Sequence, residues 1–249
     1  MTAPPRILAI AGSDSSGGAG IQADIKTITM LGGYAMTAIT AVTAQNTTGV
    51  RAIEALSPDM VAAQIDACMS DIGADAVKIG MLGSAEIAQV VADCVERLAI
   101  PIVFDPVMVS TSGSLLADPA TVAAFERLMT LATLTTPNVA EINALGGPAA
   151  MALRGVKYLA KGGDTDEAEI SDILVRPGEA GVVWTAPRIP TDQTHGTGCT
   201  LSSAIATGLA RGLPLENVIA GARDFVRQAL LAAPGFGSGH GPMGHHAVR

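Results

Sequence analysis

The chain has 249 residues, of which 49% are apolar and only 3% aromatic, and its formal net charge is −8. This acidic balance argues against a nucleic-acid-binding protein, which normally carries a basic patch. No apolar run is long and uninterrupted enough to span a membrane, and the first residues do not read as a signal peptide. The odd number of cysteines, without zinc-type spacing, disfavours a disulfide framework and indicates the cytosol.

Short apolar segments alternate with stretches of helical periodicity along the whole chain. Strands are predicted at 6–11, 35–43, 76–80, 102–105, 134–137 and 156–160, and then as an antiparallel pair at 170–176 and 181–187. Helices are predicted at 21–31, 58–72, 85–98, 119–131, 200–211 and 215–232. Ser57 is the predicted N-cap of the second helix. This alternation predicts one doubly wound α/β domain over 1–249, with a flexible tail from about residue 237.

The most informative segment is a loop of small residues that leads into an apolar helix near residue 200. Gly196, Thr197 and Gly198 allow a ligand to approach the backbone closely, and the helix adds N–H groups without intrahelical partners. Cys199 follows at once, where the helix field favours a thiolate. An ionisable side chain beside an anion-binding loop predicts phosphoryl transfer to a hydroxyl group. A purely structural glycine-rich loop is the alternative.

Polar residues also follow several other predicted strands. Ligands of doubly wound sheets bind beyond the carboxyl ends of the strands, so these residues are expected to meet at one edge. Asp105 offers a hard oxygen ligand for Mg²⁺, and Lys161 offers a point charge for phosphate oxygens. The glycine-rich stretch 12–20 matches neither a P-loop nor a Rossmann fingerprint, so a phosphate group is expected to bind elsewhere, which fits the loop at 196–198.

A series of sequence blocks resembles a known family. The blocks start at residues 12, 42, 78, 105, 136, 161, 194 and 239 and read GSDSSGGAGIQADIK, VTAQNTTG, KIGML, DPVM, TPNVAE, KGG, THGTGCTL and GHGP. In this order they resemble the hydroxymethylpyrimidine/phosphomethylpyrimidine kinases of thiamine biosynthesis, which are ribokinase-superfamily enzymes. The resemblance covers almost the whole chain. It implies a ribokinase-like three-layer αβα sandwich with a mainly parallel central sheet.

The resemblance also implies an activity. The reaction would be ATP- and Mg²⁺-dependent phosphorylation of 4-amino-5-hydroxymethyl-2-methylpyrimidine, first to the monophosphate and then to the diphosphate. Cys199 is the predicted general base, and the amides of Gly196, Thr197 and Gly198 are predicted to stabilise the transferring phosphoryl group. The family further implies a cytoplasmic homodimer that binds neither nucleic acid nor membrane.

Binding residues follow from the same resemblance. The predicted substrate contacts are Gly12, Asp24, Gln45, Met81 and Val107. The predicted nucleotide contacts are Asn138, Glu141, Lys161 and Gly162. The predicted metal ligands are Asp105 and Glu141, directly or through water. The carboxamide of Gln45 matches the donor and acceptor edge of an aminopyrimidine, whereas Asp24 has the alternative of a simple charge in the first turns of its helix.

Several polar side chains have other interpretations. His195 lies four residues before Cys199, so a Cys–His nucleophilic pair is a weaker alternative to the anion-binding loop. The tail histidines (His240, His245 and His246) could bind a metal adventitiously, although a mobile tail is favoured. The remaining cysteines (Cys68 and Cys94) are interpreted as inert core thiols.

The chain departs from the family pattern at a few positions. Thr111 replaces a lysine of a Lys-Ser-Gly element, Asp164 follows Lys161-Gly-Gly, and a lysine is missing near Gln193. These changes predict weaker binding of phosphate-bearing substrates. The stretch 142–160 is short and is predicted to hold one short helix. Two other functions stay open: a pyridoxal or pyridoxine kinase, and a catalytically weak pyrimidine-binding regulatory protein.

Overall fold

The computed structural model of the protein describes residues 3–110, 113, 116–163, 165 and 167–248. The strands of the sheet are β1 (Arg6–Asp14), β2 (Tyr34–Asn46), β3 (Gly49–Ala55), β4 (Ala76–Ile79), β5 (Ile102–Phe104), β6 (Leu134–Thr135), β7 (Tyr158–Ala160), β8 (Glu169–Val175) and β9 (Val182–Pro187). The helices are α1 (Gly20–Met30), α2 (Pro58–Asp71), α3 (Ala85–Val95), α4 (Pro119–Leu131), α5 (Val139–Ala144), α6 (Gly147–Arg154), α7 (Thr197–Ala210) and α8 (Leu215–Leu231). None of the helices in these residues combines the length and the apolar character needed to cross a membrane.

All strands belong to one sheet, with the order β3-β2-β1-β4-β5-β6-β7-β8-β9. The central strands from β2 to β7 pair in parallel. Both edges are antiparallel, through β2–β3 on one side and β7–β8–β9 on the other. The predicted mainly parallel sheet and the predicted antiparallel pair are therefore confirmed.

Alternating residues of the strands bury two separate cores, one on each face of the sheet. Leu8 and Ile10 of β1 pack in the core that includes α2, α3 and α4. Ile7 and Ala9 point to the opposite face and pack in the core that includes α1, α7 and α8. Successive side chains of a strand point to opposite faces and both faces of β1 are covered, so residues 7–11 of β1 are all apolar. The predicted three-layer αβα sandwich is confirmed.

Local signals place several helix starts as expected. The hydroxyl of Ser57 accepts a hydrogen bond from the Met60 amide at 3.3 Å, so the predicted N-cap of α2 is confirmed. Asp118 caps α4 in the same way through the Thr121 amide at 2.8 Å. Pro119 occupies the first helical position of α4, where a missing N–H costs nothing.

Two segments differ from the sequence-based expectation. The antiparallel edge strand β3 was not predicted, because its residues 51–55 are all exposed and lack an apolar run. The stretch 142–160, predicted to hold one short helix, contains the end of α5 and the whole of α6. Gly146 and Gly147 separate them with φ values of 95° and 83°, which residues with a side chain rarely adopt.

The C-terminal segment is packed against the protein rather than flexible, which corrects the predicted tail. Met243 and Val248 are buried in a small cluster with Phe225 and Ala229 of α8. The Gly244 amide donates to the Ala229 carbonyl at 2.8 Å. Burial of these apolar side chains offsets the conformational entropy lost on ordering the segment.

We expect Phe125→Ala to destabilise the protein by about 3–5 kcal/mol, because it leaves a cavity in the core. Phe125 is fully buried, and its ring meets the ring of Phe104 edge to face at 5.1 Å. Urea unfolding would measure the free-energy difference. Phe236→Ala is the matched control, since Phe236 is 66% exposed and its removal should change stability by less than about 0.5 kcal/mol. Equal effects of the two variants would contradict the described core.

Candidate active site

The loops that follow β5, β6 and β7 meet at the amino end of α7. The buried carboxylate of Asp105 accepts hydrogen bonds from Lys161 Nζ at 2.7 Å and from Thr136 Oγ1 at 2.9 Å. A Cβ atom placed on Gly198 would lie 3.3 Å from Lys161 Nζ and 3.4 Å from Asp105 Oδ2. Residues from three strand ends and one helix thus converge at the predicted edge of the sheet.

The predicted anion-binding loop has the expected backbone geometry. Gly196 is the N-cap of α7 with a φ of 87°, and a side chain on it would overlap the Gly18 carbonyl oxygen. The first helical hydrogen bond runs from the Thr200 amide to the Gly196 carbonyl at 2.9 Å, whereas the Thr197 amide turns back to Thr194. The amides of Gly198 and Cys199 therefore lie at the exposed first turn, where the helix favours an anion.

Asn138 and Glu141 form a capping box at the start of α5. The Asn138 amide donates to Glu141 Oε2 at 2.8 Å, and the Glu141 amide donates to Asn138 Oδ1 at 2.7 Å. Glu141 Oε2 also lies 3.9 Å from Lys161 Nζ. The capping box thus fixes a second carboxylate beside the lysine that already contacts Asp105.

This arrangement suits a magnesium ion that arrives together with phosphates. Mg²⁺ keeps several waters and binds through one or two carboxylates plus phosphate oxygens. Asp105 and Glu141 flank Lys161 and supply such a pair. The described part of the chain holds no group of three or more acidic, histidine or cysteine side chains that could enclose a metal without a nucleotide.

Gly162, a predicted nucleotide contact, uses its amide for a hydrogen bond within the protein. Its amide donates to Asp172 Oδ1 at 2.9 Å, and Asp172 Oδ2 accepts from Arg223 at 2.6 Å. A side chain on Gly162 would overlap the Ser171 carbonyl. The predicted nucleotide contact is corrected: the Gly162 amide is bound to Asp172, and its lack of a side chain allows β8 to approach.

Asp14, which sequence reasoning missed, organises the glycine-rich loop before α1. Its carboxylate accepts hydrogen bonds from the Ser16, Gly18 and Ala19 amides at 2.8, 3.1 and 2.8 Å. His195 Nε2 approaches the same carboxylate at 2.8 Å. Burial raises the pKa of Asp14, but the hydrogen bonds from the histidine and the loop outweigh it and hold that pKa at about 2. An aspartate followed by small residues is the sequence signal that could have revealed this loop.

His195 joins the loop to both α7 and the C-terminal segment. Its ring also packs on Gly18, where a side chain would overlap it, and its amide donates to the Gly241 carbonyl at 3.1 Å. His195 Nε2 is committed to Asp14, and His195 is not among the groups that shift the pKa of Cys199, so the described contacts give the alternative of a Cys–His pair no support. His195 orients the neighbouring segments.

Three of the predicted substrate residues, Gln45, Gly12 and Met81, have contacts that place them at this edge of the sheet. Gln45 Nε2 is 3.5 Å from His195 Nε2, and Gln45 Oε1 accepts from Thr43 at 3.1 Å. Gly12 and Met81 are in direct contact, because a Cβ on Gly12 would overlap the Met81 methyl group. Val107 is half-buried on the segment that follows Asp105.

Asp24 is not placed to contact a substrate, which corrects that prediction. It is fully buried and pairs with Lys78 Nζ at 2.9 and 3.0 Å through its two oxygens. The Ser203 hydroxyl donates to Asp24 Oδ1 at 2.7 Å. Lys78 and Ser203 were also missed, although a lysine in the middle of the apolar strand β4 is an unusual feature that could have drawn attention.

The environment of Cys199 opposes the predicted thiolate. Burial and the nearby carboxylates of Asp24 and Asp105 raise the pKa of Cys199 to about 11, against the opposing effects of the Lys78 ammonium and the Gly20 amide. The helix field is therefore outweighed by desolvation and by like charges. At neutral pH the thiol is protonated in the ligand-free protein.

The remaining departures from the family pattern are only partly described. Thr111 and Asp164 lie outside the described residues. Gln193 packs against the C-terminal segment, where a side chain on Gly241 would overlap its amide oxygen. Two of the tail histidines have partners elsewhere: His240 contacts Thr194 at 3.3 Å, and buried His245 contacts Thr200 at 2.8 Å.

The fold and the loop geometry at α7 are those of a ribokinase-like small-molecule kinase. The chain belongs to the phosphomethylpyrimidine kinase family, and the sequence model of that family matches residues 14–244. A hydroxymethylpyrimidine/phosphomethylpyrimidine kinase of Rhizobium meliloti is 45% identical over an alignment of 255 positions that covers 96% of each chain.

Solved structures agree with this assignment. Pyridoxal kinase of Bacillus subtilis, crystallised as an ADP complex, is 32% identical with a TM-score of 0.89 and 99% coverage of both chains. Phosphomethylpyrimidine kinase of Clostridium difficile 630 is 38% identical with a TM-score of 0.76, covering 90% of this chain and 99% of that one.

We expect Asp14→Asn to lower the free energy of unfolding at pH 7 by roughly 2 kcal/mol. The pKa of Asp14 is about 2 in the folded protein and near 3.8 when unfolded, so the carboxylate stabilises the fold above about pH 4. This contribution is lost as the pH falls through 2, so the difference between variant and wild type should shrink between pH 5 and 2. Urea unfolding at several pH values measures it. Asp66→Asn, at an exposed carboxylate, is the control, and a pH-independent difference would contradict the prediction.

Gly196→Ala should reduce kinase activity by about a hundredfold, because a methyl group forces the anion-binding loop away from Gly18. Gly212→Ala is the matched control: Gly212 also has a positive φ, 71°, but open space around it. The control should lose about 1 kcal/mol of stability and keep its activity. Steady-state kinetics and thermal unfolding of both variants test this, and full activity of Gly196→Ala would contradict it.

Proposed function

We propose that the protein phosphorylates 4-amino-5-hydroxymethyl-2-methylpyrimidine with ATP, and then phosphorylates the monophosphate to the diphosphate. One observation carries this proposal: the first turn of α7, with the Gly198 amide and Cys199, lies against Lys161 and Asp105. An anion-binding turn, a cation and a carboxylate are the parts that phosphoryl transfer needs. The relative of 45% identity named for both activities supports the choice of substrate.

In this proposal, each group has a defined task. The amides of Gly198 and Cys199 hold the oxygens of the transferring phosphoryl group, and Lys161 neutralises part of their charge. Gln45, held by Thr43, presents its amide to the donor and acceptor edge of the pyrimidine. Met81 and Val107 supply apolar walls for the ring.

Mg²⁺, when bound with ATP, would neutralise charge that develops on the phosphates. Asp105 and Glu141 are the residues proposed to hold it, with water and phosphate oxygens completing its shell. Lys161 lies between these carboxylates and must share them with the arriving ion.

Cys199 is the proposed general base of the first step. The substrate hydroxyl loses its proton as its oxygen bonds to the γ-phosphorus, and the Cys199 thiolate accepts that proton. The pKa of about 11 means that only a small fraction of the protein carries the thiolate at neutral pH. The nucleophile of the second step is already an anionic phosphate and needs no such base.

A pyridoxal kinase is the second candidate, favoured by the TM-score of 0.89 with the Bacillus subtilis enzyme. The two candidates separate when the purified protein is incubated with Mg²⁺-ATP and either hydroxymethylpyrimidine or pyridoxal. Pyrimidine diphosphate would support the proposal, whereas phosphorylation of pyridoxal alone would favour the alternative. Product from neither would leave only a pyrimidine-binding role. The cytoplasmic homodimer implied by the family resemblance stays a prediction.

We expect Cys199→Ala to slow the first phosphorylation by about a hundredfold or more and the second by less than about threefold. The first-step rate of the wild type should also rise with pH between 7 and 10, because the thiolate fraction grows as the pH approaches the pKa of about 11. Resolved mono- and diphosphate products at each pH give both rates. Cys68→Ala, at another partly buried cysteine, is the control. Equal losses in both steps would count against the general base.

A further inference from the structure

A charged pair that the proposed mechanism does not use lies beneath the first turn of α7. Lys78 and Asp24 are both fully buried, and their side chains have no solvent exposure. Lys78 comes from β4 in the centre of the sheet, and Asp24 comes from α1. Ion pairs at such positions are rare, because taking two charges out of water costs several kcal/mol per ion.

A hydrogen bond connects this ion pair to α7. Asp24 holds the ammonium with both oxygens, at 2.9 and 3.0 Å. It also accepts from Ser203, which lies one helical turn after Cys199 on the same helix. The contact from Ser203 therefore fixes the rotation of α7 relative to the pair.

The position of the ammonium is also restricted by the backbone. A Cβ on Gly80 would lie 2.7 Å from Lys78 Nζ, so a side chain there would displace the ammonium. The absence of a side chain at residue 80 leaves room for the charge near the active-site edge of β4. Burial opposes the charge on Lys78, but Asp24, Cys199 and Asp105 stabilise it and raise the pKa of Lys78 above its ordinary value.

Replacing a buried ion pair by apolar residues is often neutral or stabilising, so this pair is weak evidence for stability. The contacts and charges of the pair instead link it to the Cys199 thiol on α7. The charged groups that act on the thiol are Lys78 from β4, Asp24 from α1 and Asp105 after β5, together with the Gly20 amide. Lys78 is the only cation among these named groups.

We propose that Lys78 and Asp24 are positioning residues for phosphoryl transfer: Asp24 and Ser203 hold α7, and the Lys78 ammonium stabilises the Cys199 thiolate. This rests on the proposed general-base role. In the first step the substrate O–H bond breaks and its proton bonds to Sγ. The substrate oxygen bonds to the γ-phosphorus as the bond from that phosphorus to the ADP oxygen breaks. The thiolate becomes a neutral thiol, and the ammonium stays paired with Asp24.

The test compares the wild type with the double variant Asp24→Leu/Lys78→Met, which removes both charges together. Alkylation of Cys199 by iodoacetamide, resolved by peptide mass spectrometry between pH 7 and 10, reports the thiolate without any substrate. Cys199 and Cys68 are both half-buried as residues, so the wild-type alkylation rate of Cys199, measured against that of Cys68, sets the scale for the variants. Lys78 and Asp24 act on the pKa of Cys199 in opposite directions, and the effect of Lys78 is the larger. We therefore expect the double variant to keep its melting temperature, to alkylate about threefold more slowly and to lose about threefold in the first phosphorylation. The second phosphorylation should fall by a smaller factor than the first, because it uses the amides of α7 but needs no thiolate.

Gly80→Ala gives a second test that leaves both charges in place. It should slow Cys199 alkylation and the first phosphorylation, since it displaces the ammonium. Gly221→Ala, at a glycine with open space around it, is the control. Wild-type alkylation in a folded double variant would overturn the proposal. If the double variant does not fold, wild-type alkylation in folded Gly80→Ala would overturn it instead.

The two readouts separate this inference from the proposed function. A wild-type protein that makes no pyrimidine phosphate would refute the proposed function, and alkylation alone would then decide whether Lys78 acts on Cys199. Slower alkylation with an unchanged first step would overturn the link between the pair and phosphoryl transfer.

Discussion

The site depends on the hydrogen bond between Asp14 and His195, which joins two loops separated by 181 residues in the chain. The Asp14 carboxylate accepts hydrogen bonds from the amides of its own loop. Its contact with His195 connects that loop to the start of α7. Gly18 and Gly196 make this approach possible, because a side chain on either would overlap the opposite loop. The glycine-rich loop before α1 and the first turn of α7 are thereby held together.

Charge balance is the second organising constraint. Asp24 and Asp105 are buried near the first turn of α7, and Lys78 and Lys161 are paired with them. Each pair keeps a costly buried charge compensated before any ligand arrives. The Lys161–Asp105 pair lies where phosphates and Mg²⁺ are proposed to bind, whereas the Lys78–Asp24 pair lies deeper and connects to α7 through Ser203.

Sequence patterns predicted most of the fold because its elements follow local rules. The periodicity and capping residues placed α2 and α4 to within a residue or so, and apolar runs located the parallel strands. Pattern recognition failed at β3, which is held by pairing with β2 and has little apolar burial of its own. It also failed for the C-terminal segment, whose order comes from packing on α8.

The sequence by itself determined the layered α/β architecture, the family and the glycine-containing start of α7, because each of these rests on residues adjacent in the chain. Only the tertiary structure decided what the individual side chains face. Asp24 is predicted from the sequence to contact the substrate, yet it is buried against Lys78. Cys199 reads as an activated thiol, yet burial and two carboxylates from distant segments raise its pKa. Electrostatic environments depend on distance and solvent access in space, and neither quantity is encoded in neighbouring residues.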